Sequence, residues 1–316
     1  MNKVLLGSTG MAVSPLIFGS LPLGPLQADL PLEKAGRLLR YALECGVNMI
    51  DTAALYETFR HIRQALKGYQ GSCYLASKTH ATDAVTARRH VEQALRELGV
   101  ERLDVVHVHA ARLADPFIER AAIFDLLLEM RHEGKIAHVG LSTHYIRAVR
   151  QAARHPEIAV VHPLINRQGM GILDGSAEEM AAALAEVAAA GKGVYAMKAL
   201  AGGNLIAQAR ESLRFVRDLP GVHGVAVGML SEAEVDANIR LFSDAPLEDA
   251  MWRKLESQRR HLKIMDRFCT GCGSCVEACT NNALAIVDGK ARVDAERCIL
   301  CGYCAPACPE FMIRVV

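Results

Sequence analysis

Eight of the ten cysteines in this 316-residue chain fall between Cys269 and Cys308, and they fall in a repeat. The segments CTGCGSCVEACT from Cys269 and CILCGYCAPACP from Cys298 share the spacing C-x2-C-x2-C-x3-C. Each cysteine of the first run recurs 29 positions later in the second. In a chain that lacks the apolar core of a secretory leader (it begins MNKVLLGSTG), such clustering points to metal rather than disulfides. The expected compartment is the cytoplasm. A long first part therefore precedes a short metal module.

Composition narrows what the long part can be. With 51% apolar and 22% charged residues, the chain has enough apolar side chains for a sizeable core. A net charge of +1 argues against general affinity for nucleic acid or an anionic membrane. No apolar run approaches the roughly 20 residues of a spanning helix. Short β-branched runs at 14–19, 48–51, 73–78, 104–109, 137–142, 159–163, 193–198 and 222–228 read as strands. Helical patterns such as 32–45, 82–98, 117–132 and 177–190 lie between them, and Cys45-Gly46 reads as a helix end. Eight strands alternating with helices over about 250 residues predict a (β/α)8 TIM barrel at 1–245. A doubly wound open sheet is the alternative, but no GxGxxG follows the first strand.

Chemistry in such barrels sits at the C-terminal ends of strands. Those ends carry Asp51, Lys78, His109, Ser142-Thr143-His144, Asn166, Lys198 and Gly228. Each alone reads as a loop charge or a core polar group; an acid, a lysine and a histidine at three successive ends read as a site. Strand alternation turns His107 and His109 the same way, towards the barrel interior.

The segments LGSTGMAVSPLIFGS, GVNMIDTAALY, SKT, LDVVHVH and VGLST resemble the aldo-keto reductases, and the likeness runs along the whole barrel. Carried over by position, the resemblance implies a catalytic tetrad of Asp51, Tyr56, Lys78 and His109 acting on a small carbonyl or alcohol. A carbonyl accepting hydride needs a proton, which a tyrosine hydroxyl of lowered pKa supplies. Lys78 would lower that pKa, Asp51 would pair with the lysine, and His109 would orient the carbonyl.

The same resemblance implies NAD(P)(H) as cofactor, and the departures from the family gather around its nicotinamide. Ser142, Thr143 and His162 stand where the carboxamide is usually held, and Met197, followed by Lys198, where a tyrosine usually stacks on the ring. GMLSEAEVDAN, with Gly228, Leu230, Ser231 and Asn238, resembles the loop and first helical turn that clasp the cofactor. Leu230 and Glu234 face the expected 2′-phosphate, and a carboxylate there favours NAD over NADP.

The cysteine runs are similar to bacterial two-cluster ferredoxins, in which the fourth cysteine of each run ligates the other cluster. That resemblance implies two 4Fe-4S clusters: one on Cys269, Cys272, Cys275 and Cys308, the other on Cys298, Cys301, Cys304 and Cys279. Zinc ribbons, the competing reading, need no fourth ligand at x3. This ferredoxin domain is expected at 266–316. A linker at 246–265, basic through Arg253, Lys254, Arg259, Arg260 and Lys263, is expected to be helical. About 18 helical residues span about 27 Å, enough to bring the ferredoxin back over the top of the barrel.

Three functions remain open. The first is an iron-sulfur oxidoreductase whose electrons pass through the clusters, with a soluble ferredoxin or similar carrier as partner. The second is an ordinary carbonyl reductase with structural or redox-sensing clusters. The third is a non-catalytic electron-transfer subunit. Because clusters move electrons singly and hydride moves them in pairs, a flavin is the alternative occupant of the barrel.

Overall fold

In the computed structural model, which describes residues 1–246, 248–310 and 312–315, eight parallel strands close into a barrel. A hairpin of β1 (Val4–Leu5) and β2 (Ala12–Val13) precedes them. The barrel strands are β3 (Leu16–Gly19), β4 (Met49–Asp51), β5 (Tyr74–Thr79), β6 (Leu103–Ala110), β7 (Ile136–Thr143), β8 (Ile158–Pro163), β9 (Gly193–Ala196) and β10 (Gly224–Val227). The ring closes where Val225, Ala226 and Val227 of β10 pair with Leu16, Ile17 and Phe18 of β3. Around it run α1 (Leu32–Glu44), α2 (Phe59–Leu66), α3 (Ala84–Leu98), α4 (Pro116–Glu119), α5 (Ala121–His132), α6 (Ile146–Ala153), α7 (Ala177–Ala189), α8 (Ala209–Arg217) and α9 (Glu232–Phe242).

Local chemistry explains the helices. In α3, Asp83 accepts the Thr86 amide at 2.8 Å, Ala87, Val91, Ala94 and Leu98 form the buried stripe, and Gly99 ends the helix at φ 73°. A reciprocal Ser176–Glu179 capping box starts α7. The stretch 117–132, expected as one helix, is two, because Arg120 (φ −132°) leaves the helical region between α4 and α5.

The period of two along the strands sorts the barrel interior into layers. Met49, Ala76, Val105 and Val160 point inward with Ile17 and form an apolar floor, closed from below by Leu6, Met11 and Val13 of the hairpin region. Two residues further along the same strands come Asp51, Lys78, His107 and His162. The polar layer of the site is thus the next inward step above an apolar one.

After the barrel, helix α10 covers only Asp249–Glu256, so the expected continuous helix at 246–265 is not formed (Leu247 lies outside the described residues). The reason lies in the sequence beyond it. Leu262 and Ile264 alternate with His261 and Lys263, a strand pattern, and β11 (Leu262–Ile264) pairs antiparallel with β14 (Ile313–Val315). Trp252 of α10 is buried in the barrel's core, fastening the helix to it. Between β11 and β14 stand α11 (Ser274–Glu277), the hairpin β12 (Leu284–Val287) and β13 (Lys290–Val293), and α12 (Cys304–Ala307). Of the expected module at 266–316, Phe311 and Val316 lie outside the described residues.

This C-terminal part rests on the end of the barrel where the strands finish. Gln27 donates to the Leu300 carbonyl (3.0 Å), Asn204 to the Cys298 carbonyl (2.6 Å) and Arg112 to the Glu277 carbonyl (2.9 Å). Ile299 packs on Leu164 and Met197. Gly202, at φ 72°, makes the approach possible, since a Cβ there would lie 1.6 Å from the Ile299 carbonyl oxygen. Among the described residues, no helix is long and apolar enough to cross a membrane.

Candidate active site

Register brings the inward polar side chains together. Lys78 Nζ lies 2.5 Å from Asp51 Oδ2 and donates to the Thr52 carbonyl at 2.9 Å. Both side chains are almost fully buried, so removing either charge would strand the other at a cost of about 3–5 kcal/mol. The second carboxylate oxygen, Oδ1, accepts the Tyr195 hydroxyl at 2.8 Å. That hydroxyl in turn lies 2.7 Å from His107 Nε2, which supplies the hydrogen of this contact because the tyrosine's own is committed to Asp51. His162 Nδ1 donates to the Tyr195 carbonyl at 2.7 Å and stacks on its ring. The result is a buried network of Lys78, Asp51, Tyr195 and His107.

Tyr56 lies at one side of this network, its ring under Lys78 Nζ at 4.9 Å from the centroid. Burial, with smaller contributions from Tyr303 and Asp51, holds its hydroxyl well above the usual tyrosine range. The expected lowering by Lys78 is not seen. The ammonium is neutralised by Asp51 and faces the ring rather than the oxygen. Tyr56 is therefore a neutral O–H donor. Lys78 itself is pulled down by burial, against the upward effect of Asp51.

A residue of the cysteine-rich part completes the site. Tyr303, between Cys301 and Cys304, is buried against Leu26, Ala53 and Tyr56, and its hydroxyl lies 3.4 Å from His109 Nε2. Lys198 Nζ stands 5.7 Å from the Tyr303 ring centroid and donates to His144 Nε2 at 3.2 Å. Burial pulls Lys198 down to about 8, with the Cys301 thiol opposing it.

A cleft of about 1100 Å³, counting its open mouth, runs from this centre along the barrel rim. Asp51, Tyr56, His162, Met197, Lys198, Gly228, Glu234 and Asn238 line it. Other expected cofactor contacts do not reach it. Ser142 and Thr143 are buried, with Thr143 Oγ1 turned to the Ala110 carbonyl and the Tyr145 amide. Leu230 faces a separate surface cavity. Ser231 caps α9 through the Glu234 amide, and Glu234 folds back to accept the Leu230 amide at 2.9 Å.

The cysteines gather into two sets around two small cavities. Cys269, Cys272, Cys275 and Cys308 surround one, and Cys279, Cys298, Cys301 and Cys304 the other. The Ala283 amide donates to Cys279 Sγ (3.2 Å), and those of Ala291 and Met312 to Cys269 and Cys308 Sγ (3.4 Å each). Four soft sulfur donors per cavity, each set spanning both runs, suit an iron-sulfur cubane. The second set lies against the barrel, beside Tyr303 and Ile299.

Tyr195, His107 and Tyr303 were not expected as site residues. For His107 an inward direction was legible from strand alternation. For Tyr195 the same alternation within 193–198 offered a signal. For Tyr303 none existed without the docking of the two parts.

Four histidines, His107, His109, His144 and His162, are pushed well below the ordinary range by burial, with the nearby lysines or each other adding to it. The folded protein holds them neutral while the unfolded chain protonates them below about pH 6.5. Their contribution is complete above that pH and is lost on acidification, by up to about 1.4 kcal/mol per pH unit for each histidine. Thermal unfolding of the iron-loaded protein between pH 8 and 5 is expected to show a Tm falling steeply below pH 6.5. A flat Tm would mean that these side chains take up protons without unfolding.

Comparison with known proteins agrees with this architecture. The model of the Aldo/keto reductase family matches residues 15–214, and that of the 4Fe-4S dicluster domain matches residues 268–312. Pyridoxine 4-dehydrogenase of Escherichia coli is 31% identical over 182 residues, which is 51% of this chain and 62% of that protein. An uncharacterised ferredoxin of Methanocaldococcus jannaschii is 45% identical over 56 residues, 17% of this chain and 37% of that one. Each alignment thus spans less than two thirds of the relative. A solved structure from Pseudomonas aeruginosa, assigned to the aldo-keto reductases, superposes with a TM-score of 0.66 at 27% identity, covering 77% of this chain and 94% of its own. With a family match over more than half its length and a barrel of the same topology, the chain belongs to the aldo/keto reductase family of oxidoreductases and carries a C-terminal 4Fe-4S dicluster domain.

Proposed function

We propose that this is a cytoplasmic oxidoreductase that interconverts a carbonyl and an alcohol at Asp51, Tyr56, Lys78 and His109, with electrons exchanged through two 4Fe-4S clusters. The observation that carries the reading is the position of Tyr303. It stands between two cysteines of the inner set and touches His109 and Tyr56, so the cysteine cavity and the tetrad adjoin. A dead docking platform would have no need of a buried ion pair set against a buried tyrosine.

In this reading Tyr56 Oη gives its proton to the substrate oxygen as negative charge develops there. Lys78, held by Asp51 and Thr52, compensates the phenolate that remains. His109 aligns the oxygen, and Tyr195 fixes the carboxylate through Oδ1. A nicotinamide held along the cleft at His162, Met197, Lys198, Gly228 and Asn238 would supply or accept the hydride. Clusters held on Cys269, Cys272, Cys275 and Cys308 and on Cys279, Cys298, Cys301 and Cys304 would exchange electrons singly between the cofactor and a soluble carrier such as a ferredoxin, two such transfers and a proton balancing each hydride. Glu234 already fills the amide and hydroxyl donors at the start of α9, so a 2′-phosphate there meets a carboxylate instead of free donors. NAD is favoured accordingly. A flavin in the same cleft is the second reading, favoured by the lack of an aromatic platform at Met197 and by the withdrawal of Ser142 and Thr143.

The test is an anaerobic titration of the purified protein. It is expected to contain about eight irons per chain, and its cluster absorption to bleach on addition of NADH. Stoichiometric zinc, or four irons or fewer after reconstitution, would defeat the two-cluster reading. A flavin band that reduces before the clusters selects the second cofactor, and NADPH binding much tighter than NADH contradicts the role given to Glu234.

A further inference from the structure

Two members of the tetrad, Tyr56 and His109, are both contacted by one side chain from outside the barrel. Tyr303 packs on Tyr56 and places its hydroxyl 3.4 Å from His109 Nε2, with the Tyr303 and His109 rings edge to face at 6.0 Å. The cleft is lined by Tyr56, Asp51 and His162 but not by His109, against which the Tyr303 hydroxyl stands. A buried phenol oxygen thus stands beside Tyr56 and takes the His109 hydrogen bond that a substrate oxygen would take.

We infer that Tyr303 is a specificity-determining residue of the active site, whose hydroxyl holds the substrate-oxygen position, so that it and a substrate carbonyl are alternatives there. The inference rests on the reading of Tyr56 and His109 as the groups that hold that oxygen. Three features make the occupancy a built one. The ring is packed on Leu26, Ala53 and Tyr56. The backbone just ahead of it is anchored by Gln27 to the Leu300 carbonyl and by Gly302, where a Cβ would lie 2.3 Å from the Leu26 carbonyl oxygen. A buried hydroxyl needs a partner, and this one finds it in His109 of the tetrad. A carbonyl compound must therefore pay for displacing Tyr303, which selects substrates with enough further contact along the cleft. Displacement also moves the segment between Cys301 and Cys304, tying occupancy of the site to the inner cysteine set.

Calorimetry on the iron-loaded protein, with p-cresol and toluene as probes, tests this without any turnover. Tyr303→Ala leaves a phenol-shaped space with two partners for a hydroxyl. This variant is expected to bind p-cresol at least tenfold more tightly than toluene, while the wild type binds neither measurably. Adding Tyr56→Phe to the variant is expected to erase most of the preference. Wild-type protein that binds p-cresol as well as Tyr303→Ala does, or a variant without preference for the hydroxyl, overturns the inference. If Tyr303→Ala does not retain about eight irons, a crystal structure of Tyr303→Phe decides instead. A water bridging Tyr56 and His109 supports the oxygen position, and a dry gap overturns it. A protein that passes these tests but turns over no carbonyl keeps the inference and loses the proposed reaction.

Discussion

Tyr56→Phe is expected to lower turnover on the native substrate by about 10²- to 10⁴-fold while leaving the iron content and the fold intact. The substitution removes one hydroxyl and nothing else. Its ring stays beneath Lys78, and the Asp51–Lys78 pair, which does not depend on the hydroxyl, keeps its 2.5 Å contact. What is lost is the transferable proton, held on Tyr56 at neutral pH because burial keeps the phenol protonated. Lys78→Met is expected to cause a loss of similar size by a different route. It leaves the phenolate uncompensated and strands the Asp51 carboxylate beside Tyr195, so unlike Tyr56→Phe it also lowers Tm. Kinetics and thermal unfolding on the two variants separate these effects. Full turnover by Tyr56→Phe would mean that the barrel runs some other chemistry.

The barrel was legible because two periods are written into it. Apolar stripes such as Ala87, Val91, Ala94 and Leu98 gave the helices, and β-branched runs gave strands that end within a residue or two of their expected limits. The largest miss is at 193–198. The strand stops at Ala196 because Met197 makes only a single bridge to Leu164 and Lys198 turns left-handed at φ 60°. That turn aims Lys198 at His144 instead of along the rim. Within the site, Asp51, Lys78 and His109 were legible because each stands at or one residue before the end of its own strand. Tyr195 was not, since its meaning depends on barrel closure, which sets a β9 side chain against a β4 carboxylate 144 positions away. Tyr303 was further out of reach. Its part in the site follows from the docking of two units, and the connection between them was read as one helix when half of it is strand and extended chain. Trp252 held a clue, being the single tryptophan in an otherwise polar, basic stretch. A large apolar ring there has to be buried against something, and it is buried in the barrel.

Cys279→Ala is expected to remove the inner cluster and spare the outer one, although Cys279 belongs by sequence to the first run. The chain folds so that Cys279 lines the cavity of Cys298, Cys301 and Cys304, while Cys308 of the second run lines that of Cys269, Cys272 and Cys275. Iron is expected to fall from about eight to about four atoms per chain, with a single cluster signal left on reduction. The matched control is Cys272→Ala, at the most exposed cysteine of the outer set, which is expected to lose the same amount of iron from the other cavity. The two variants then differ in what the barrel can do. The inner set borders Tyr303 and Ile299 and through them the tetrad and Met197, so under the proposed reading electrons passing between barrel and clusters would meet it first. With Cys279→Ala the remaining cluster is separated from the barrel by an empty cavity, and its bleaching by NADH is expected to slow by orders of magnitude. With Cys272→Ala the remaining cluster is the adjacent one, and its bleaching is expected to stay near the wild-type rate. Equal bleaching in both variants would show that electrons do not pass the inner cluster first. Loss of the outer cluster in Cys279→Ala would show that each run closes on its own cubane, against the grouping that the fold imposes on the eight thiols.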